Sequence, residues 1–215
     1  FEAGISQPGE MKALRDIIQP TIAVLTNLGA AHQENFDSMS DKCAEKMRLF
    51  HDAKAVVYHI DEIKKLQVEN PLREGQVSLA WSTTDSHAPL YIESVEKGDT
   101  STRVTYLYNV GTTTHGGSYQ IPFIDEASIT NSIVCCAACL YLGITPKVLE
   151  TRMSGLEPVA MRLEVKEGQN GCTLINDSYN SDINSLDIAL DFMNRRPDHQ
   201  GRSHTLILSD ILQSG

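Results

Sequence analysis

No apolar run in this 215-residue chain reaches the roughly 20 residues that a membrane-spanning helix needs, and its N-terminal stretch has no signal-peptide pattern. Cysteine supplies no framework. The five, Cys43, Cys135, Cys136, Cys139 and Cys172, are odd in number and contain no pair of Cys-x-x-Cys zinc spacings. They read as reduced thiols of a cytosolic protein, and the group at 135, 136 and 139 reads as small packing residues of a helix. Positive charge is scarce, with 18 basic against 28 acidic residues and a net charge of -10, which excludes a sequence-independent grip on nucleic acid. Any phosphate must be met locally, by a few cations, backbone amides or a metal ion. A Gly-x-x-x-x-Gly-Lys-Ser/Thr loop is missing as well. The nearest stretch, Gly168-Gln169-Asn170-Gly171, lacks the lysine and reads as a hairpin turn, so a complete nucleotide site is not expected within these residues. There is no internal repeat and no low-complexity tract.

What is present is α/β patterning in two parts. Met11, Leu14, Ile17 and Ile18 recur at helical spacing before Pro20, and the apolar run 21–26 follows as a strand. Ser38, with Asp41 three residues on, starts a second helix that runs to about Asp52 and feeds a strand at Ala55–Tyr58. A short helix is expected around Asp61–Gln67. Between Gln76 and Phe123 the pattern becomes short β-rich runs, which predict a small, mostly antiparallel layer. Helical periodicity returns from Ile129 to Tyr141, ends at Gly143, and resumes after Pro146. A domain boundary fits near Ser154–Pro158. Beyond it, 162–166, 173–176 and 205–208 read as strands, with a helix from about Asn184 to Asn194. The chain starts at Phe1-Glu2-Ala3 and stops just after an apolar strand, so it reads as a piece of something longer.

Two strand-end loops carry the polar residues with most chemical promise: Asp177-Ser178-Tyr179-Asn180, and Thr26-Asn27 leading to His32. Loops at the carboxyl ends of strands are where open α/β sheets bind ligands. Asp177 is either a ligand for a metal or cation or the closer of an Asx turn. His32 is either exposed or a metal and phosphate group. Glu2, at a strand end, is a hard-cation ligand or a solvated carboxylate. Lys46 projects about 40° from the centre of the stripe Met39, Cys43, Met47 and Phe50, while Lys42, Glu45 and Arg48 point elsewhere. It is then a snorkelling lysine or a partly desolvated amine able to react uncharged. Arg162 sits just past the boundary, placed to reach a phosphate or carboxylate, or simply exposed.

In order, Glu2-x-Gly4 with Pro8-Gly9-Glu10, Thr26-Asn27-x-x-x-x-His32, Lys46-x-x-Leu49-Phe50, Asn131, Arg162 and Asp177-Ser178-Tyr179-Asn180 resemble the Mur ligase family. These are the ATP-dependent amide-forming enzymes of peptidoglycan assembly. The Ala31-His32-Gln33-Glu34-x-Phe36 segment and the Asp-Ser-Tyr-Asn turn are most similar to the branch that adds D-Ala-D-Ala to UDP-MurNAc-tripeptide. The resemblance covers nearly the whole chain except 76–122.

By that likeness, residues 1–157 are a P-loop-type central ATPase domain lacking its P-loop, and 158–215 open a Rossmann-like C-terminal domain. The phosphate loop and the uridine-nucleotide domain would lie upstream. The resemblance implies ATP and Mg2+ as cofactors, with Glu2 and His32 as magnesium ligands and Lys46 as the lysine that is carbamylated in several members. It puts Asn131 near the adenine and has Arg162, Asp177 and Asn180 closing onto ATP. It implies a cytoplasmic ligase with no nucleic-acid or membrane partner, fused in some relatives to an alanine racemase. The reaction implied is activation of the tripeptide carboxylate as an acyl phosphate, which the amine of D-Ala-D-Ala attacks. The isolated chain is expected to be inactive. Ala127-Ser128 stands where the family has His-Asn, and Asp182-Ile183 where it has Asn-Pro, so a folylpolyglutamate synthase-like ligase and a non-catalytic scaffold relative remain as alternatives.

Overall fold

The computed structural model describes residues 1–29, 32–68, 72–157, 162–179, 183–196, 201 and 203–209. Its main element is a six-stranded sheet whose strands lie in chain order, β1 (Ile22–Val24), β2 (Ala55–His59), β3 (Val77–Ser82), β4 (Leu90–Lys97), β5 (Thr102–Val110) and β6 (Thr113–Ile121). The first four are parallel and the last three form an antiparallel meander. Helices α1 (Glu10–Ile18), α2 (Met39–Arg48) and α3 (Ile60–Lys65) are interleaved with the parallel strands, and α4 (Glu126–Tyr141) and α5 (Pro146–Met153) follow the meander.

Burial explains the change of strand direction. Along β2, Ala55 and Val57 pack with Leu79, Trp81 and α4, while Val56 and Tyr58 face Cys43, Phe50 and Ile63 of the opposite layer. A strand covered on both faces must be apolar at every position, as Ala55–Tyr58 is. In β5, Val104 and Tyr106 point into the core and Arg103 points to solvent, the alternation of a sheet covered on one face.

The region 76–123 is mostly antiparallel, as expected, yet its first strand, β3, is parallel to both neighbours. β3 pairs parallel with β2 from Ala55↔Val77 to His59↔Trp81, and the meander extends this same sheet. The continuous burial of Leu79, Ala80, Trp81 and Ser82 marks a central strand, a signal too short to separate from an antiparallel run by periodicity alone.

Helix ends follow their sequence signals. The Ser38 hydroxyl accepts the Asp41 N–H at 3.0 Å, and the Asp125 carboxylate accepts the Ser128 N–H at 2.8 Å. α4 ends in a Schellman motif: Gly143 takes φ 83°, the Ile144 N–H donates to the Cys139 carbonyl at 3.0 Å, and the Gly143 N–H to that of Leu140 at 3.0 Å.

The C-terminal portion holds a separate antiparallel hairpin, β7 (Glu164–Glu167) and β8 (Thr173–Asn176), followed by α6 (Ile183–Arg195). Gln169–Gly171 forms its turn, as expected. The strand expected at 205–208 is not formed among the described residues, and Leu206, Ile207 and Leu208 are exposed. An apolar run becomes a strand only where a neighbour takes its backbone hydrogen bonds. The expected boundary near Ser154–Pro158 runs into 158–161, outside the described residues.

Leu90, 1% exposed, joins the parallel and antiparallel halves opposite Trp81. Leu90→Ala is expected to destabilise the fold by about 2–5 kcal/mol, whereas Leu206→Ala stays within about 0.5 kcal/mol, as read from urea denaturation midpoints.

Candidate functional site

The carboxyl end of β1 opens onto a loop that α2 holds. After β1 the chain continues paired through the Leu25 N–H to the Val57 carbonyl at 2.9 Å, then leaves the sheet as Thr26–Gly29. Two lysines of α2, one turn apart, grip this loop. Lys46 Nζ donates to the Asn27 carbonyl at 3.3 Å, and Lys42 Nζ to the Gly29 carbonyl at 2.7 Å. Burial lowers the proton affinity of both ammonium groups, and the neighbouring Lys46 charge lowers that of Lys42 further.

Past the loop, His32 takes a left-handed conformation, φ 60° and ψ 21°, at the head of a 3-10 turn over Gln33–Asn35. Its Nδ1 lies 4.0 Å from the Glu34 carboxylate, and its side chain is half-buried. Asn35 Nδ2 reaches back to the Ser6 carbonyl at 2.9 Å, and Phe36 packs with Ile5 and Met11. The Glu2-bearing segment is thereby fastened beside the His32 turn. Glu2 itself is exposed on that segment.

The helical wheel of α2 needs correction. Lys42 and Glu45, which spacing turned away from the apolar stripe, are 2% and 4% exposed. Glu45 accepts the backbone N–H groups of Gly9 and Met11, and pairs with Arg48 at 2.8 Å. α2 is covered on two sides, by the sheet and by α1 with the β1 loop, so charged residues beside the stripe are enclosed too. No spacing signal marks them, because the groups that enclose them come from Gly29, Gly9 and Met11.

At the end of β2 lies a second polar knot that spacing did not single out. Asp61 accepts from Ser82 Oγ at 2.8 Å, the Thr83 N–H at 3.0 Å and Thr84 Oγ1 at 2.9 Å. Burial alone would raise its pKa. These hydrogen bonds, with His59 nearby, outweigh that and hold it at about 2. His59 stacks on the Trp81 indole, ring centroids 3.6 Å apart. The knot pins the β2 and β3 carboxyl ends to each other.

The remaining expected residues sit on other elements. Asn131 is exposed in the second turn of α4. Ala127 and Ser128 occupy the first turn of that helix, where the Ser128 N–H is taken by the Asp125 cap. Asp177 Oδ1 accepts the Leu163 N–H at 3.1 Å across the open end of the β7–β8 hairpin, a cross-strand bond and not the local Asx turn that was the alternative. The Arg162 guanidinium lies 4.2 Å from the centroid of the Tyr179 ring. No described hydrogen bond, ion pair or ring contact joins Arg162 or Asp177 to Glu2, His32 or Lys46. Asn180 lies outside the described residues.

Among the described residues no group of three or more His, Cys, Asp or Glu side chains forms a metal cage. Magnesium bound together with a nucleotide needs no such cage, because it keeps several waters and takes one or two protein ligands plus phosphate oxygens. The exposed Glu2 carboxylate is an oxygen donor of the kind magnesium takes, and His32 offers a ring nitrogen from its half-buried turn. No described helix is long and apolar enough to cross a membrane.

Comparison with known proteins gives the family and the fold. The Mur ligase middle domain family matches residues 1–139. UDP-N-acetylmuramoyl-tripeptide--D-alanyl-D-alanine ligase of Bacillus subtilis is 26% identical over the whole of this chain, which spans 45% of that relative. Among solved structures, MurF from Acinetobacter baumannii superposes with a TM-score of 0.69 at 18% identity, over 91% of this chain and 42% of its own. MurF ligase from Thermotoga maritima in complex with ADP gives 0.66 at 20% identity, over 88% of this chain and 43% of its own. At these identities the structures speak for the fold. The chain thus spans about half the length of these relatives.

The Asp61 knot makes stability pH-dependent in a defined direction. With its folded pKa at about 2 against 3.8 for the free side chain, its contribution is present above pH 4 and lost as pH falls through 2. Between pH 5 and pH 2, the wild type is expected to lose ~2 kcal/mol more stability than Asp61→Asn, as measured by urea midpoints at each pH.

Proposed function

This chain belongs to the Mur ligase family, matched through its middle domain, and on that premise we propose that it is part of a longer cytoplasmic ligase that joins D-Ala-D-Ala to UDP-MurNAc-tripeptide. We assign residues 1–157 to the central ATPase domain and 158–215 to the opening of the C-terminal one. The observation that carries this reading is local: a β1 loop ending at His32, gripped at Asn27 and Gly29 by two lysines, at the carboxyl edge of a parallel sheet. End-to-end similarity to a ligase of that name supports the choice of branch.

In this reading the tripeptide carboxylate attacks the γ-phosphorus of ATP. The γ-phosphorus to bridging-oxygen bond breaks, ADP leaves, and an acyl phosphate remains. The amine of D-Ala-D-Ala then attacks the acyl carbon, an amide forms, and inorganic phosphate departs with loss of the amine proton. Magnesium, when bound, supplies the charge that offsets the phosphate oxygens during in-line transfer. Glu2 and His32 would hold it, and Lys46, once carbamylated, would add a carboxylate beside them. Asn131 serves the adenine side. Arg162, Asp177 and Asn180 act from the C-terminal part, whose closure would keep water from the acyl phosphate.

Three measurements test the proposal. In the full-length protein, phosphate release from ATP is expected only when both the muramoyl tripeptide and D-Ala-D-Ala are present; release with folate and glutamate instead would overturn the assignment. Lys46→Ala is expected to lower turnover by about 100-fold or more, the scale of removing one charge-stabilising contact, and to abolish a mass increment of one carbamate seen in the unmodified protein. The 215 residues alone are expected to bind ATP too weakly for a micromolar affinity by calorimetry.

A further inference from the structure

Glu45 has no place in the chemistry proposed above, yet it is among the most enclosed charged side chains described, at 4% exposure. Gly9 sits at the N-cap of helix α1; its φ of 95° suits glycine, and its lack of a side chain leaves the helix start without a cap of its own. Glu45 Oε1 supplies that cap from another helix, accepting the Gly9 N–H at 2.8 Å and the Met11 N–H at 3.3 Å, while Oε2 takes Arg48 at 2.8 Å. A carboxylate on these amides is also favoured by the helix dipole. Ordinary caps are local and fray one helix end when lost. This one spans 36 residues and joins two elements.

The elements it joins are the ones that matter. The segment before Gly9 carries Glu2, and α2, one residue past Glu45, carries Lys46. The helix's own acidic residue, Glu10, is turned the other way, onto the Ser6 and Gln7 N–H groups at 2.6 and 3.0 Å, so it does not make this junction. We propose that Glu45 is a positioning residue for the magnesium–nucleotide site: by capping α1 from α2 it sets where the Glu2 segment stands relative to Lys46 and to the loop that ends at His32. The inference rests on Glu2 and His32 serving a magnesium-bound nucleotide, and it does not depend on which amino acid the ligase adds.

The test uses ADP binding to the full-length protein by calorimetry, with Mg2+ and with EDTA, beside hydrogen exchange at the Gly9 and Met11 amides. For Glu45→Ala, those amides are expected to exchange faster, and ADP affinity in Mg2+ to fall about tenfold, the lower end of losses seen when a residue supporting a metal ligand is removed. Affinity in EDTA should not change. Glu45→Asp keeps the charge but not the reach, and is expected to behave like alanine, which keeps the test open should the alanine variant fail to fold. Glu45→Gln keeps an acceptor for the amides and is expected to restore most of the affinity. Leu149→Ala, a buried change in α5, is expected to lower thermal stability and leave the Mg2+ dependence intact. Equal ADP affinity of wild type and Glu45→Asp in Mg2+ would overturn the proposal, as would a loss that is the same in EDTA. A wild type that binds ADP in a Mg2+-dependent manner but forms no D-Ala-D-Ala amide would instead overturn the choice of reaction alone. A wild type with no Mg2+ dependence would overturn the magnesium reading and this inference together.

Discussion

The ammonium of Lys42, 2% exposed, donates to the Gly29 carbonyl at 2.7 Å. Taking a charge that far from water costs several kcal/mol unless the protein replaces the lost hydrogen bonds, and here the Gly29 carbonyl helps replace them. Glu45 obeys the same rule with opposite sign, its carboxylate taken by two backbone amides and an arginine. Both residues sit on one ten-residue helix, and Lys46 on the same helix grips Asn27. The price of enclosing these charges fixes geometry, because each side chain is satisfied only while its partner segment stays where it is. α2 therefore acts as a tie between the β1 loop and the segment before α1, two stretches that carry His32 and Glu2 and share no regular secondary structure.

The sheet provides the fixed frame for that tie. Its parallel part is apolar on both faces and brings the β1 and β2 ends into one edge, and the Asp61 knot binds the end of β2 to the end of β3. The meander widens the core beneath α4 and α5 without adding to that edge. Its strands alternate because one face meets solvent. The hairpin bearing Arg162 and Asp177 is organised by its own contacts, the Leu163 to Asp177 hydrogen bond and the arginine over Tyr179.

Much of this was legible in the order of residues, for physical reasons that also explain the misses. The helices at 10–18 and 39–48 announce themselves because apolar spacing and caps are local properties, and Ser38 and Gly143 act within a few residues of their own positions. β3 was harder. A six-residue run buried on both faces looks alike in a parallel and an antiparallel sheet, and its partner, β2, lies 22 residues back in register. The partial burial of Lys46 could be read because its angle from the stripe is a property of α2 alone. Lys42 and Glu45 could not, since what encloses them comes from Gly29, Gly9 and Met11, and a helical wheel carries no information about loops that return from elsewhere. Thr205–Leu208 failed in the reverse sense, an apolar run with strand composition and no described neighbour to pair with.

All of this turns on whether Glu2 and His32 face a common metal-bound nucleotide. The most direct measurement is a crystal structure of the full-length protein with ADP and Mn2+ in place of Mg2+, recorded at a wavelength that reveals manganese. Manganese at coordination distance from the Glu2 carboxylate or the His32 imidazole, with Lys46 lining the same site, is the expected result. Manganese bound on the nucleotide with both side chains turned away from it would contradict it.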